Sequence, residues 1–234
     1  MANIIPPLLL FLFPIGGFFS ICFYSIYMIE NMGIGQPNAV SIGIGLFRAF
    51  GIFCGALLVG RLGRRRLLIL SSGSSSFFLA SISFLLISHD IFNLSKTVLD
   101  VQLIALLLFS MFSASFGMAP VPWILCGEWP CVSHKVSCDK LKVFQFFFSQ
   151  APITATGSFL FYASVFLSSQ QLTILEPLLG LSGMFLVFSG ISALFLAIVL
   201  LFVPDTRGKS LEDYFTEIKT NSSGLHNGST LSKV

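Results

Sequence analysis

Charge is the scarcest property of this sequence. Of 234 residues, 13 are Lys or Arg and 10 are Asp or Glu, while 55% are hydrophobic. So few charged groups leave no room for a soluble domain. Histidine is rarer still, and His89, His134 and His226 all fall outside the apolar stretches. The chain has no Ser-His-Asp set, no metal cluster and no phosphate-binding glycine loop, which excludes the common enzyme classes. No acid sits in the middle of an apolar run to act as a proton relay. The formal charge of +3 is small, and no nucleic-acid partner is expected. No cofactor and no metal are expected.

What the chain has instead is long apolar runs. They lie at about Leu8–Ile29, Ala39–Gly60, Leu67–Ser88, Val101–Gly127, Val143–Ser168 and Leu178–Val203. A helix needs ~20 apolar residues to cross the ~30 Å hydrocarbon core of a bilayer. Soluble helices rarely stay apolar all round for that long, because one face must meet water. The sequence predicts an all-α membrane protein of six transmembrane helices. The bundle occupies 1–204, and 205–234 form a tail, largely disordered after 220. Met1–Pro7 carries no basic n-region and no cleavage site ends the first run, so that run is expected to be a retained span.

Basic residues cluster after alternate spans. Arg61, Arg64, Arg65 and Arg66 follow the second, Lys135, Lys140 and Lys142 the fourth, and Arg207, Lys209, Lys219 and Lys233 the sixth. Positive loops stay cytosolic, which places both termini in the cytosol and predicts outer loops at Glu30–Asn38, His89–Asp100 and Ser169–Pro177. Asn93, Asn221 and Asn227 open Asn-x-Ser sequons. Only Asn93 falls on the predicted outside, making it the glycosylation candidate. Cys22, Cys54 and Cys126 lie in apolar spans and read as packing residues. Cys131, His134 and Cys138 lack a fourth ligand at a recognised spacing.

Three features break the apolar monotony. Gly51 and Gly55 sit four residues apart, a step that lets helices approach closely in lipid. Pro120 and Pro122 crowd the fourth span, and Pro152 lies in the fifth. A proline frees a carbonyl and kinks its helix, as in the broken helices of transport paths. Arg48 is the one charge well inside an apolar run. An ionisable group at that depth faces a cavity or a partner, so Arg48 is a candidate ligand for an anionic or polyhydroxylated solute. The plain alternative is a snorkelling or structurally paired arginine.

The motifs RLGRRRLLI at Arg61–Ile69, GMAPVPWILCGEWP at Gly117–Pro130 and VPDTRGKSLEDYF at Val203–Phe215 stand in order at span boundaries. Together they resemble the sugar porter branch of the major facilitator superfamily, most closely the facilitated trehalose-type transporters of arthropods. The resemblance covers nearly the whole chain but half of the family fold: these porters have twelve spans in two bundles, and this chain matches the C-terminal one. It implies alternating access, with a sugar-like solute, the bilayer and a missing N-terminal half or partner chain as partners. It also implies a multi-pass protein, expected in the plasma membrane, working by facilitated diffusion.

The resemblance also assigns residues. Trp123 matches the tryptophan that stacks on sugar, Tyr24 a gating position facing the outer vestibule, and Ser115 a position where some members carry an acid. Arg48 falls where glucose facilitators have a sugar-facing asparagine. The paired glutamines fall on Phe13 and Pro14, and a further asparagine on Phe19, so neutral hydrogen-bonding ligands are lost. Arg61, Gly63, Arg64 and Arg65 with Glu128 and Asp205 match a cytosolic latch that holds the inside-closed state. The losses support a second reading, a truncated non-transporting paralogue acting as a membrane interaction or regulatory subunit. A six-span channel or membrane enzyme is the remaining alternative, without a filter or catalytic motif.

Overall fold

The computed structural model describes the backbone of residues 5–92, 96–126 and 140–203, and side chains within 6–88, 98–126 and 154–203. By internal contacts the chain forms two units, Met1–Val203 and Pro204–Val234, and the second lies outside the described residues. Every described element is helical: α1 (Ile5–Phe13), a wide turn at Pro14–Phe18, α2 (Phe19–Phe23), α3 (Ser25–Asn31), α4 (Pro37–Leu62), α5 (Arg64–Phe92), α6 (Lys96–Phe116), a short α7 (121–126) and α8 (Lys140–Phe202). No strand occurs among the described residues. Five stretches are long and apolar enough to cross a membrane: Pro6–Phe23, Pro37–Leu62, Arg64–Ser88, Val98–Cys126 and Thr154–Phe202.

The count differs from the six expected, and the last stretch overlaps both of the apolar runs expected at Val143–Ser168 and Leu178–Val203. Its 49 residues would reach ~74 Å as one helix, far beyond a bilayer core. Gly180 interrupts it with φ 69° and ψ 176°, values that only glycine adopts readily. Contacts on either side run in opposite directions. Before Gly180, Gly157 lies against Leu10, Ser168 meets Ser20 and Glu176 meets Asn31, so this half follows the first span forwards. After it, Ser182, Ser189 and Leu200 meet Ser83, Ser76 and Arg65, following α5 backwards.

Three sequence expectations are corrected. The expected loop at Ser169–Pro177 is helical and the reversal waits for Gly180, because only there does the backbone meet a residue free to take positive φ. The loop at His89–Asp100 is shorter than expected, since α5 runs to Phe92 and α6 begins at Lys96. The first span is also not one helix. Pro14 supplies no backbone N–H, Gly17 takes φ 88°, and a second interruption falls at Tyr24 (φ −112°, ψ 21°).

Packing follows the small residues. A Cβ on Gly51 would stand 2.7 Å from the Phe112 carbonyl oxygen, and one on Gly55 2.0 Å from that of Phe116, so α4 and α6 cross backbone to backbone there. Serines join the other helices. Ser76 and Ser189 donate to each other's carbonyls at 3.0 and 2.9 Å, Ser113 donates to Ser71 O at 3.0 Å, and Ser20 to Ser168 O at 2.6 Å. In lipid, where burial of apolar surface drives little between helices, such contacts carry the association, at about 0.6 kcal/mol each.

Candidate functional site

Arg48 sits mid-way along α4 and turns toward the broken first span. Its guanidinium carbon lies 4.9 Å from the Phe18 ring centre and 5.7 Å from that of Phe19. Nη1 donates to the Cys22 sulfur at 3.4 Å. These three partners straddle the end of the wide turn and the start of α2, so the interruption of the first span is what presents them to Arg48. Ring faces attract a cation electrostatically.

From Phe19 the aromatic surface continues across two more helices. Phe19 and Phe161 lie 5.7 Å apart, and Phe161 and Trp123 5.0 Å apart, both edge-on. Arg48, Phe19, Phe161 and Trp123 thus form an unbroken line joining α4, α2, α8 and α7. Trp123 remains 37% exposed, which leaves part of the indole free to meet another molecule. Tyr162, beside Phe161 at 5.4 Å, is exposed as well.

A cavity of the bundle touches these residues only at Phe18. The cavity inside the bundle, lined in part by Phe13, Phe18, Ser75, Ser110 and Ser192, has a volume of about 10 Å³. That is room for about one water, far below a hexose.

Other expected residues stand elsewhere. Ser115 is fully buried at the α4–α6 crossing, its Cβ 3.0 Å from where a Cβ on Gly51 would sit, and its hydroxyl has no hydrogen-bond partner among the described residues. Tyr24 is half-buried at the second interruption of the first span. Phe13 is buried in the core and Pro14 opens the wide turn. Pro120 and Pro122 flank the restart of the fourth span: residues 117–120 form a turn, and Val121 N–H bonds Gly117 O at 3.1 Å.

At the other end of the bundle, Gly63 turns the chain between α4 and α5 with φ 81°. Arg61 is exposed and Arg64 and Arg65 are half-buried. Arg65 Nη2 donates to Leu200 O at 2.9 Å, capping a carbonyl in the last turn of α8. Arg65 Nε is buried without a hydrogen-bond partner among the described residues. Glu128 and Asp205, the expected acids of the latch, lie outside the described residues, as do Asn93, Cys131, His134 and Cys138.

Sequence reasoning missed Phe161, which carries the line, and the Glu176 clasp, where Glu176 Oε1 accepts from Tyr27 Oη at 3.2 Å and Asn31 Nδ2 at 2.5 Å. Phe161 gives no signal in a chain with 27 phenylalanines. Glu176 does, as an acid directly before Pro177.

A family model described as "Sugar (and other) transporter" matches residues 7–217. Among individual proteins, the chain is 26% identical over 212 residues to "Sugar transporter ERD6-like 6" of Arabidopsis thaliana, covering 88% of this chain and 39% of that protein. It is 27% identical over 211 residues to "Facilitated trehalose transporter Tret1" of Aedes aegypti, covering 88% of this chain and 24% of the relative. With "Facilitated trehalose transporter Tret1-2 homolog" of Drosophila sechellia it shares 28% identity over 211 residues, 88% of this chain and 39% of the other. The chain therefore spans between 24% and 39% of the length of these relatives.

Proposed function

Because the chain belongs to the "Sugar (and other) transporter" family, a family of transporters and not of enzymes, we propose that it forms the C-terminal half of a sugar porter. In this reading, residues 1–204 make a six-span bundle, the stretch around Gly180 supplying the fifth and sixth spans, and 205–234 a cytosolic tail. Both termini face the cytosol, in the plasma membrane. The bundle provides one wall of a central path for a sugar or related small polar solute, moved by facilitated diffusion. A complementary six-span half, on the same or a partner chain, provides the other wall, and alternating access rocks one against the other.

The observation that carries this reading is the line from Arg48 through Phe19 and Phe161 to Trp123. Helices surrounded only by lipid gain nothing from an arginine at mid-depth, whereas a polar solute passing this wall would meet a cation and a row of ring faces. Tyr24 lies on the same broken span toward the outside. Arg61, Gly63, Arg64 and Arg65, with Glu128 and Asp205, would latch the cytosolic end. Uptake of labelled sugars in cells expressing the chain alone, and together with an N-terminal six-span half, tests the reading. Saturable uptake in the paired cells supports it, and its absence in both removes it.

The burial of Phe13 where the family carries a sugar-binding glutamine favours a second reading, a non-transporting regulatory subunit. That reading requires the chain to bind a partner transporter without contributing to its flux.

A further inference from the structure

Arg48 is a cation at mid-depth whose described surroundings supply no anion. A guanidinium offers five N–H donors. One of them reaches a thiol sulfur, a weak acceptor, and the other neighbours are the faces of Phe18 and Phe19. The described acidic side chains are Glu30, Asp100 and Glu176, set toward helix ends, and none is paired with Arg48 among the described residues. Rings attract the cation but do not neutralise it. A charge at this depth faces a water-filled path or a pairing group, and an anion is the partner that would neutralise it.

A neutral hexose does not provide one. It would leave Arg48 uncompensated and set its hydroxyls against the rings of Phe19, Phe161 and Trp123. A pyranose bearing a carboxylate answers both features. The carboxylate meets the planar fork of a guanidinium with two parallel hydrogen bonds, and a C–H face of the sugar ring can then lie against Phe19, the ring of the line that neighbours Arg48. Resting on the porter reading above, we infer that the solute of this site is a sugar acid of the hexuronate class, with Arg48 as its carboxylate ligand.

D-Glucuronate, D-glucose and D-glucuronamide differ only at C6, as carboxylate, alcohol and amide, so they isolate the charge. The test is equilibrium dialysis of radiolabelled glucuronate against the full chain in lipid nanodiscs, with the two neutral sugars as competitors. Saturable glucuronate binding, at least tenfold tighter than glucose or glucuronamide, is expected. Arg48→Gln is expected to remove that preference, and Arg48→Lys to keep part of it. Should Arg48→Gln not fold, the comparison of the three sugars on the unaltered chain decides alone. Glucose or glucuronamide competing as well as glucuronate overturns the sugar-acid inference and leaves the porter reading standing, as does unchanged glucuronate binding by Arg48→Gln. Binding of none of the three overturns the sugar-acid inference, and the porter reading is then decided by the paired-cell uptake described above.

Discussion

Gly17 and Phe188 compete for one volume: a Cβ on Gly17 would lie 2.4 Å from the Phe188 ring. The backbone at Gly17 also takes φ 88°, where any other residue is strained. This is where the ring from the second half of α8 fills the notch left by the interrupted first span. The interruption, in turn, is what brings Phe18, Phe19 and Cys22 round to Arg48.

Gly17→Ala therefore carries both a steric and a conformational penalty, and is expected to destabilise the bundle by about 2–5 kcal/mol. Thermal unfolding in detergent reads this as a lowered midpoint. Phe188→Ala alone empties a fully buried site at a cost of about 3–5 kcal/mol, so with the clash relieved the double variant should lose less than the sum of the two single losses. An unchanged midpoint for Gly17→Ala would mean that the first span runs unbroken.

The α4–α6 crossing makes a sharper contrast. A Cβ on Gly55 would press on the Phe116 carbonyl at 2.0 Å, while nothing lies within 4 Å of one on Gly60. Alanine is the better helix former by about 1 kcal/mol. Gly60→Ala should thus be neutral or mildly stabilising, and Gly55→Ala destabilising by about 1–3 kcal/mol, because the helices must move apart. Equal midpoints for the two variants would refute the close crossing.

Much of this was legible in the residues. Apolar runs marked the membrane-crossing stretches, since lipid demands them, and Gly51 and Gly55 marked a close approach. Arg48 stood out because a charge in an apolar run is rare whatever the fold. The turn after Ser168 was not legible: Ser169–Pro177 is polar enough to read as loop, yet its backbone stays helical until Gly180. The broken first span was written in Pro14, Gly16 and Gly17, but an apolar run hides such breaks from a hydropathy reading. Phe161 was out of reach, because its place between Phe19 and Trp123 depends on how three helices cross.

At the turn between α4 and α5, Arg65 is the residue to change. It donates to Leu200 O, and a hydrogen bond from a charged group is worth about 1.5–3 kcal/mol. If the arginines act as a latch, Arg65→Ala should cut uptake about tenfold or more while surface protein falls less than twofold. Surface biotinylation alongside uptake separates the two quantities. Parallel loss of both would assign Arg65 to topology and helix capping alone.

The aromatic line makes the most demanding prediction, because it names a residue that should matter and a neighbour that should not. Phe161 joins Phe19 to Trp123, whereas Phe159, two positions earlier on the same helix, is 73% exposed and points away from that line, as a residue ~200° round a helix must. If the line faces the solute, Trp123→Ala removes the stacking surface and Phe161→Ala removes what positions it. Each should then lower saturable uptake, per surface molecule, by about tenfold, the equivalent of about 1.4 kcal/mol. Phe159→Ala should lower it by less than twofold, since its ring would meet only lipid. Equal effects from all three would reduce the line to packing. A loss confined to Phe161→Ala would place the solute's contact on α8 and remove Trp123 from the path.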